Sequence, residues 1–197
     1  MPTEKLDVAS GSMRIREINS NVGIGGIDRN VVADANGVLK TIDFNAYGLF
    51  HARLAGDQVF SSPGNIMTLL FNSPLSTSPY YSYNTSTGTL TFNQAGNYLV
   101  TLQAGFANMA AAGTQLTLGV RPVPDASYLA RGTHYAAVAP ASATIGELMS
   151  YTTLIIVPAS GYQVRFTTTS SGTFTVLATE SGGTGSGNVT NVTIQKI

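Results

Sequence analysis

Tyr80, Tyr81 and Tyr83 stand together in Pro79-Tyr80-Tyr81-Ser82-Tyr83-Asn84-Thr85-Ser86-Thr87-Gly88, a run otherwise made of turn and hydroxyl residues. An exposed tyrosine offers an apolar ring and a hydroxyl, a pairing that stacks on sugars and forms protein hot spots. The competing reading is structural: alternate residues such as Tyr81 and Tyr83 face the same way along a strand, into a core or a subunit interface. A second cluster, Arg131-Gly132-Thr133-His134-Tyr135, joins a cation, an imidazole and an aromatic ring. It reads as a ligand patch or as a solvated loop or interface. Tyr80, Tyr81, Tyr83, Arg131, His134 and Tyr135 are therefore the candidate ligand-binding residues.

Catalysis is poorly provided for. The chain has 2 histidines, His51 and His134, and no cysteine. That removes disulfides, thiolate metal sites and a cysteine nucleophile. The histidines and carboxylates match no metal-ligand spacing. Gly183-Thr184-Gly185-Ser186-Gly187 shares letters with a nucleophile elbow but sits in a low-complexity glycine–serine run. Val22-Gly23-Ile24-Gly25-Gly26 has no following helix to make a phosphate cradle. No catalytic residue, metal ligand or cofactor is assigned, and the chain reads as not an enzyme. A glycan hydrolase would need paired carboxylates at a cleft, and residues 47–197 hold only Asp57, Asp125, Glu147 and Glu180.

Composition narrows the partners. Charged residues make up 10% of the 197, with 10 basic and 10 acidic side chains balancing to zero, against roughly 25% charged in an ordinary domain. A nucleic-acid partner needs a basic excess, and so does an anionic membrane surface. Neither partner is expected. Serine, threonine, asparagine, glutamine and glycine cover the surface instead, which suits an extracellular, cell-surface or virion protein. No apolar run approaches the ~20 residues of a membrane span, and Met1-Pro2-Thr3-Glu4-Lys5 does not open a signal peptide.

The elements that must position these residues are strands. Tyr98, Val100, Leu102, Ala104 and Phe106 recur at every second position and form one clean apolar face, followed by Leu116, Leu118 and Val120, then Tyr162, Val164 and Phe166. Period-2 alternation broken by turn residues marks a sandwich or barrel. No amphipathic helix is expected. Thr153-Leu154-Ile155-Ile156-Val157 breaks the pattern by being apolar at successive positions. Such a strand is buried on both faces; one face meets the core and the other calls for a cover, a neighbouring subunit or a loop of the same chain. Leu154, Ile155, Ile156, Val157 and Ile194 are the expected subunit-interface residues.

Two stretches carry a family resemblance. Leu90-Thr-Phe-Asn-Gln-Ala-Gly96-Asn-Tyr98-Leu-Val-Thr-Leu102 is similar to a strand pair of the complement C1q and tumour-necrosis-factor jelly rolls. Leu154-Ile-Ile-Val-Pro-Ala-Ser-Gly161-Tyr-Gln-Val164 resembles another, with Tyr162 where that family commonly has an aspartate. Phe50–Leu54 and Val192–Ile197 fit its first and last strands. The resemblance covers residues 47–197. It implies an all-β jelly-roll sandwich of about ten strands, a homotrimer with the first and last strands near the threefold axis, and binding in place of catalysis. No metal site is carried over, because the clustered acidic residues of that family's calcium sites are missing.

Residues 1–46 differ. Short strand-like pieces at Met13–Ile18, Val22–Gly26, Val31–Ala33 and Val38–Ile42 alternate with turns, and Asn36-Gly37 marks a hairpin. Lys5–Gly11, Asn21–Gly26 and Val31–Lys40 resemble stalk segments of bacterial surface proteins, Bacteroidetes-type among them, and of phage fibres. The expected organisation is an N-terminal stalk or trimerisation segment, 1–46, before a head, 47–197. The expected function is a trimeric fibre knob that binds a cell-surface glycan or protein; the alternative is a purely structural trimerisation cap or virion module.

Overall fold

Alternating hydrophobicity sets the architecture. The computed structural model of the chain describes residues 30–33, 36, 39–42, 48–75, 78–109, 111–124, 127–137 and 144–197. The chain divides into two compact units, Met1–Asn45 and Ala46–Ile197. In the first, β1 (Asn30–Ala33) and β2 (Leu39–Ile42) pair antiparallel, with Asn36 in the turn between them. The hairpin predicted around that asparagine is therefore present. The pieces expected at Met13–Ile18 and Val22–Gly26 lie outside the described residues.

The second unit is all β, with no helix among its described residues. Its strands follow in order: β3 (Leu49–Arg53), β4 (Gln58–Phe60), β5 (Met67–Thr68), β6 (Ser73–Pro74), β7 (Tyr81–Asn84), β8 (Thr89–Phe92), β9 (Gly96–Ala107), β10 (Gln115–Pro122), β11 (Ala130–Tyr135), β12 (Glu147–Val157), β13 (Tyr162–Ser170), β14 (Phe174–Leu177), β15 (Thr179–Gly182), β16 (Gly185–Asn188) and β17 (Asn191–Lys196). One sheet has the order β11-β10-β13-β8-β7, with β5 added on β13. The other has the order β4-β14-β9-β17-β3-β6, with β12 added on β9. Every pairing is antiparallel. β9 and β10 lie in different sheets, as do β11 and β12, and β12 and β13. This back-and-forth winding is the jelly-roll sandwich expected from the sequence.

The inward faces of the two sheets make one core. Tyr98, Val100, Leu102, Ala104 and Phe106 of β9 are all buried, opposite Leu116, Leu118, Val120, Val164 and Phe166 from the six-stranded sheet. Aromatic rings meet edge-on within it: Phe71 with Phe166 at 5.8 Å between centroids, and Phe106 with Phe174 at 5.2 Å. Such pairs add to plain area burial. The β7–β8 hairpin closes on Gly88, whose φ of +65° is a conformation that glycine adopts without strain.

The last strand is built in as expected. β17 lies between β3 and β9, with Val192 opposite Ala52 and Ile194 opposite Phe50. β12 resolves the ambiguity of Thr153–Val157. Its pairing sets Leu154 opposite Leu99 and Ile155 opposite Tyr98. Ile155 and Val157 therefore point into the core, whereas Leu154 is 51% and Ile156 71% exposed. Ile155, Val157 and Ile194, expected at the subunit interface, are buried in the subunit's own core instead, and of that group Leu154 and Ile156 face outward.

Candidate functional site

The outward faces of the two sheets differ in chemistry. On the seven-stranded sheet, register places Leu154 beside Leu99, Leu99 beside Gln195, and Gln195 beside Leu49. Leu49, Leu99, Leu154 and Ile156 are exposed. This row is apolar at three of its four positions and crosses four strands. The next row is polar: the Thr101 and Thr152 hydroxyls are 2.9 Å apart, and His51 Nδ1 lies 2.7 Å from Thr193 Oγ1. Partial burial, aided by the Arg53 charge, lowers the His51 pKa below its usual value.

The six-stranded sheet carries a cationic and hydroxyl-rich outer face. β10 buries Leu116, Leu118 and Val120, so Thr117, Gly119 and Arg121 project the other way. Arg131 on β11 is opposite Gly119, and Arg165 on β13 is opposite Arg121. The Thr117 and Thr133 hydroxyls, 3.2 Å apart, share this face. Tyr128, from the loop before β11, lies on Gly119. A Cβ at that glycine would come within 2.5 Å of the ring carbons, so only glycine leaves room. The guanidinium carbons of Arg121 and Arg131 are 4.8 Å and 5.7 Å from the ring centroid, within cation–π range. Arg121, Ser127, Tyr128, Leu129, Ala130 and Arg131 line an open cleft of about 750 Å³. A second cleft, of about 610 Å³, lies on the same sheet with Ser82, Asn84, Thr91, Gln163 and Arg165 in its lining. Gln163 donates to Thr91 Oγ1 at 3.1 Å, and Arg165 Nε donates to Thr89 Oγ1 at 3.3 Å.

The sequence-nominated residues do not form one site. Tyr81 is buried, its hydroxyl donating to the Gly48 carbonyl and its ring packed among Phe50, Phe92 and Tyr98. Tyr83 is half-buried against the core, and its hydroxyl accepts the Phe71 N–H at 3.0 Å. Burial, partly offset by that bond, pushes its pKa up to about 12. The Tyr81 ring is committed to the core, as the structural alternative has it, whereas Tyr83 packs against the core and also lines the second cleft. Tyr80 stands apart, half-buried, with the Lys196 ammonium 5.3 Å from its ring centroid. The second cluster is also divided. Arg131 and Tyr135 share the outer face, opposite Gly119 and Gln115. His134 is opposite buried Leu116 and turns to the sandwich edge, where it pairs with Glu147. Arg121, Tyr128 and Arg165 were missed. The outward parity of the two arginines was readable, but the register and loop placement that bring the three together were not.

Among the described residues no group of three or more His, Asp or Glu side chains is placed to hold a metal ion. No protein-family model matches the chain, and no curated protein matches it. Solved structures do. Murine APRIL at pH 5.0 is similar over 77% of this chain and 99% of its own, at 8% identity and a TM-score of 0.51. The fold is a TNF-like jelly roll. Murine APRIL at pH 8.0 aligns over 76% of this chain and 98% of its own, at 10% identity and a TM-score of 0.49. Eiger TNF from S. frugiperda aligns over 76% and 90%, at 14% identity and 0.46. The likeness is one of architecture, and no side chain of the arginine–tyrosine face is carried over from it.

Proposed function

We propose that this chain is a homotrimeric, non-enzymatic binding head, carried on an extracellular fibre of a cell or virion and directed at a cell-surface glycan or protein. The observation that carries the trimer is the apolar row on the seven-stranded sheet. Leu49, Leu99, Leu154 and Ile156 are exposed in the single chain, clustered by register, and bordered on one side by a polar row. A contiguous apolar patch of this kind marks an interaction surface. A second copy is the simplest cover, because β12 pairs with β9 alone among the described strands and so offers a sheet edge beside the patch. The other sheet, with its two open clefts, is then left free for a ligand. Among the described residues no helix is long and apolar enough to cross a membrane.

The test is mass in solution, by size-exclusion chromatography with light scattering at micromolar concentration. The expected mass is three times the 20.5 kDa of one chain. A stable single-chain species would sink the trimer.

A further inference from the structure

Arg121 and Arg165 are direct cross-strand partners, both on the outer face of the six-stranded sheet. Like charges in that position cost stability. Arg131 brings a third guanidinium to the same face, and both Arg121 and Arg131 are held against the Tyr128 ring. Arg121 Nε and the Tyr128 hydroxyl are buried, with no hydrogen-bond partner among the described residues. A buried donor left unmade is costly, and such atoms in folded proteins usually meet water, an ion or a ligand. The head's described carboxylates are engaged elsewhere. Asp57 accepts from the Ala178 N–H, Glu180 from the Gly146 N–H, and Glu147 pairs with His134. Among the described residues the face thus gathers cations, leaves a buried N–H without a partner and draws on none of those three carboxylates.

We propose that this face binds an acidic saccharide. A carboxylate or sulfate ester lodges between Arg121 and Arg131 beside Tyr128, and adjoining sugar hydroxyls meet the Ser82, Thr91 and Gln163 side chains of the second cleft. Guanidinium forks match both anions through paired charge-assisted hydrogen bonds. The hydroxyl and amide lining of the second cleft suits sugar hydroxyls better than the apolar anchors of a peptide. A nucleic acid fits less well, because the whole chain has a net charge of zero. The inference rests on the binding-head reading and names the class of ligand for it.

The experiment is calorimetric titration of the full chain with four probes: a heparin-derived sulfated hexasaccharide, a hexagalacturonate, neutral maltohexaose and poly-glutamate. The expected result is binding of the sulfated or the uronate probe, with the other two weaker by at least tenfold; which acidic probe binds distinguishes sulfate from carboxylate. Arg121→Gln and Arg131→Gln should each lower that affinity about tenfold or more, the loss of one charge-assisted bond. Gly119→Ala, which displaces Tyr128 while keeping every charge, should do likewise. Arg53→Gln, on the other sheet, should change nothing, and circular dichroism confirms folding of each variant. Equal loss in Arg53→Gln, equal binding of poly-glutamate, or no binding by either acidic probe overturns the proposal. Binding of maltohexaose alone, unaffected by Arg121→Gln, overturns the acidic class and leaves the binding head standing. A single-chain mass with Arg121-dependent uronate binding overturns the trimer and leaves the acidic class standing.

Discussion

His51 is the residue whose protonation most directly reports on the fold. It sits half-buried on β3, bonded to Thr193 of the last strand, and its pKa is lowered by burial and by Arg53. The folded state therefore binds a proton less readily than the unfolded chain, whose histidine titrates near 6.5. Stability is full above that value, and it falls as the pH drops from about 6.5 towards the lower folded pKa. Chemical denaturation across pH 5–8 should show this loss, and His51→Gln should flatten that segment of the profile. A variant with the same slope as the parent would place the pH dependence elsewhere. The tyrosines teach a different lesson at this scale. Tyr81 and Tyr83 have inward parity with Leu90 and Phe92 across the hairpin; the Tyr81 hydroxyl donates to a backbone carbonyl and the Tyr83 hydroxyl accepts a backbone N–H. Residue type alone suggested ligand stacking, whereas strand parity decided for the core.

At the scale of elements, β12 shows what sequence reveals and what it conceals. β9 was legible because five apolar residues recur at every second position from Tyr98 to Phe106, so its inward face is fixed without any partner even though Leu99 is apolar on the other. Leu154 to Val157 are apolar at every position, so alternation cannot be seen; only the pairing of Leu154 with Leu99 assigns the faces. The arginine–tyrosine face was concealed for a related reason. Arg121, Arg131 and Arg165 come from three strands, and their meeting depends on two registers. Neighbouring substitutions in β12 separate its two roles. Ile155→Lys puts an unpaired charge in the core and should destabilise the head by about 3 kcal/mol or more. Ile156→Lys alters an exposed position; it should leave the denaturation midpoint of the isolated subunit nearly unchanged and lower the assembly's mass. Thermal melts read together with light scattering check both. An Ile156→Lys trimer as stable as the parent would move the interface off this face.

At the scale of the molecule, the two compact units predict separability. Among the described residues, the core cluster of the head draws its members from Phe50 to Ile194. A chain of residues 46–197 should therefore keep its β-sheet circular dichroism spectrum and its cooperative melt. Loss of the melt on removing residues 1–45 would show that the head depends on the first unit.

β17 lies beside β3, Gln195 is opposite Leu49, and the Lys196 N–H donates to the Gly48 carbonyl at 3.2 Å. The polypeptide thus enters and leaves the head at one spot. The order of its strands along the chain is then a convention that the packing does not require. A circular permutant, with residue 197 joined to residue 47 by a short glycine linker and new ends cut at the exposed Gly183 between β15 and β16, should fold to the same sandwich. For the same reason the head could be spliced into a surface turn of an unrelated scaffold, as a plug-in cassette that leaves its host's two sides nearly as close as before.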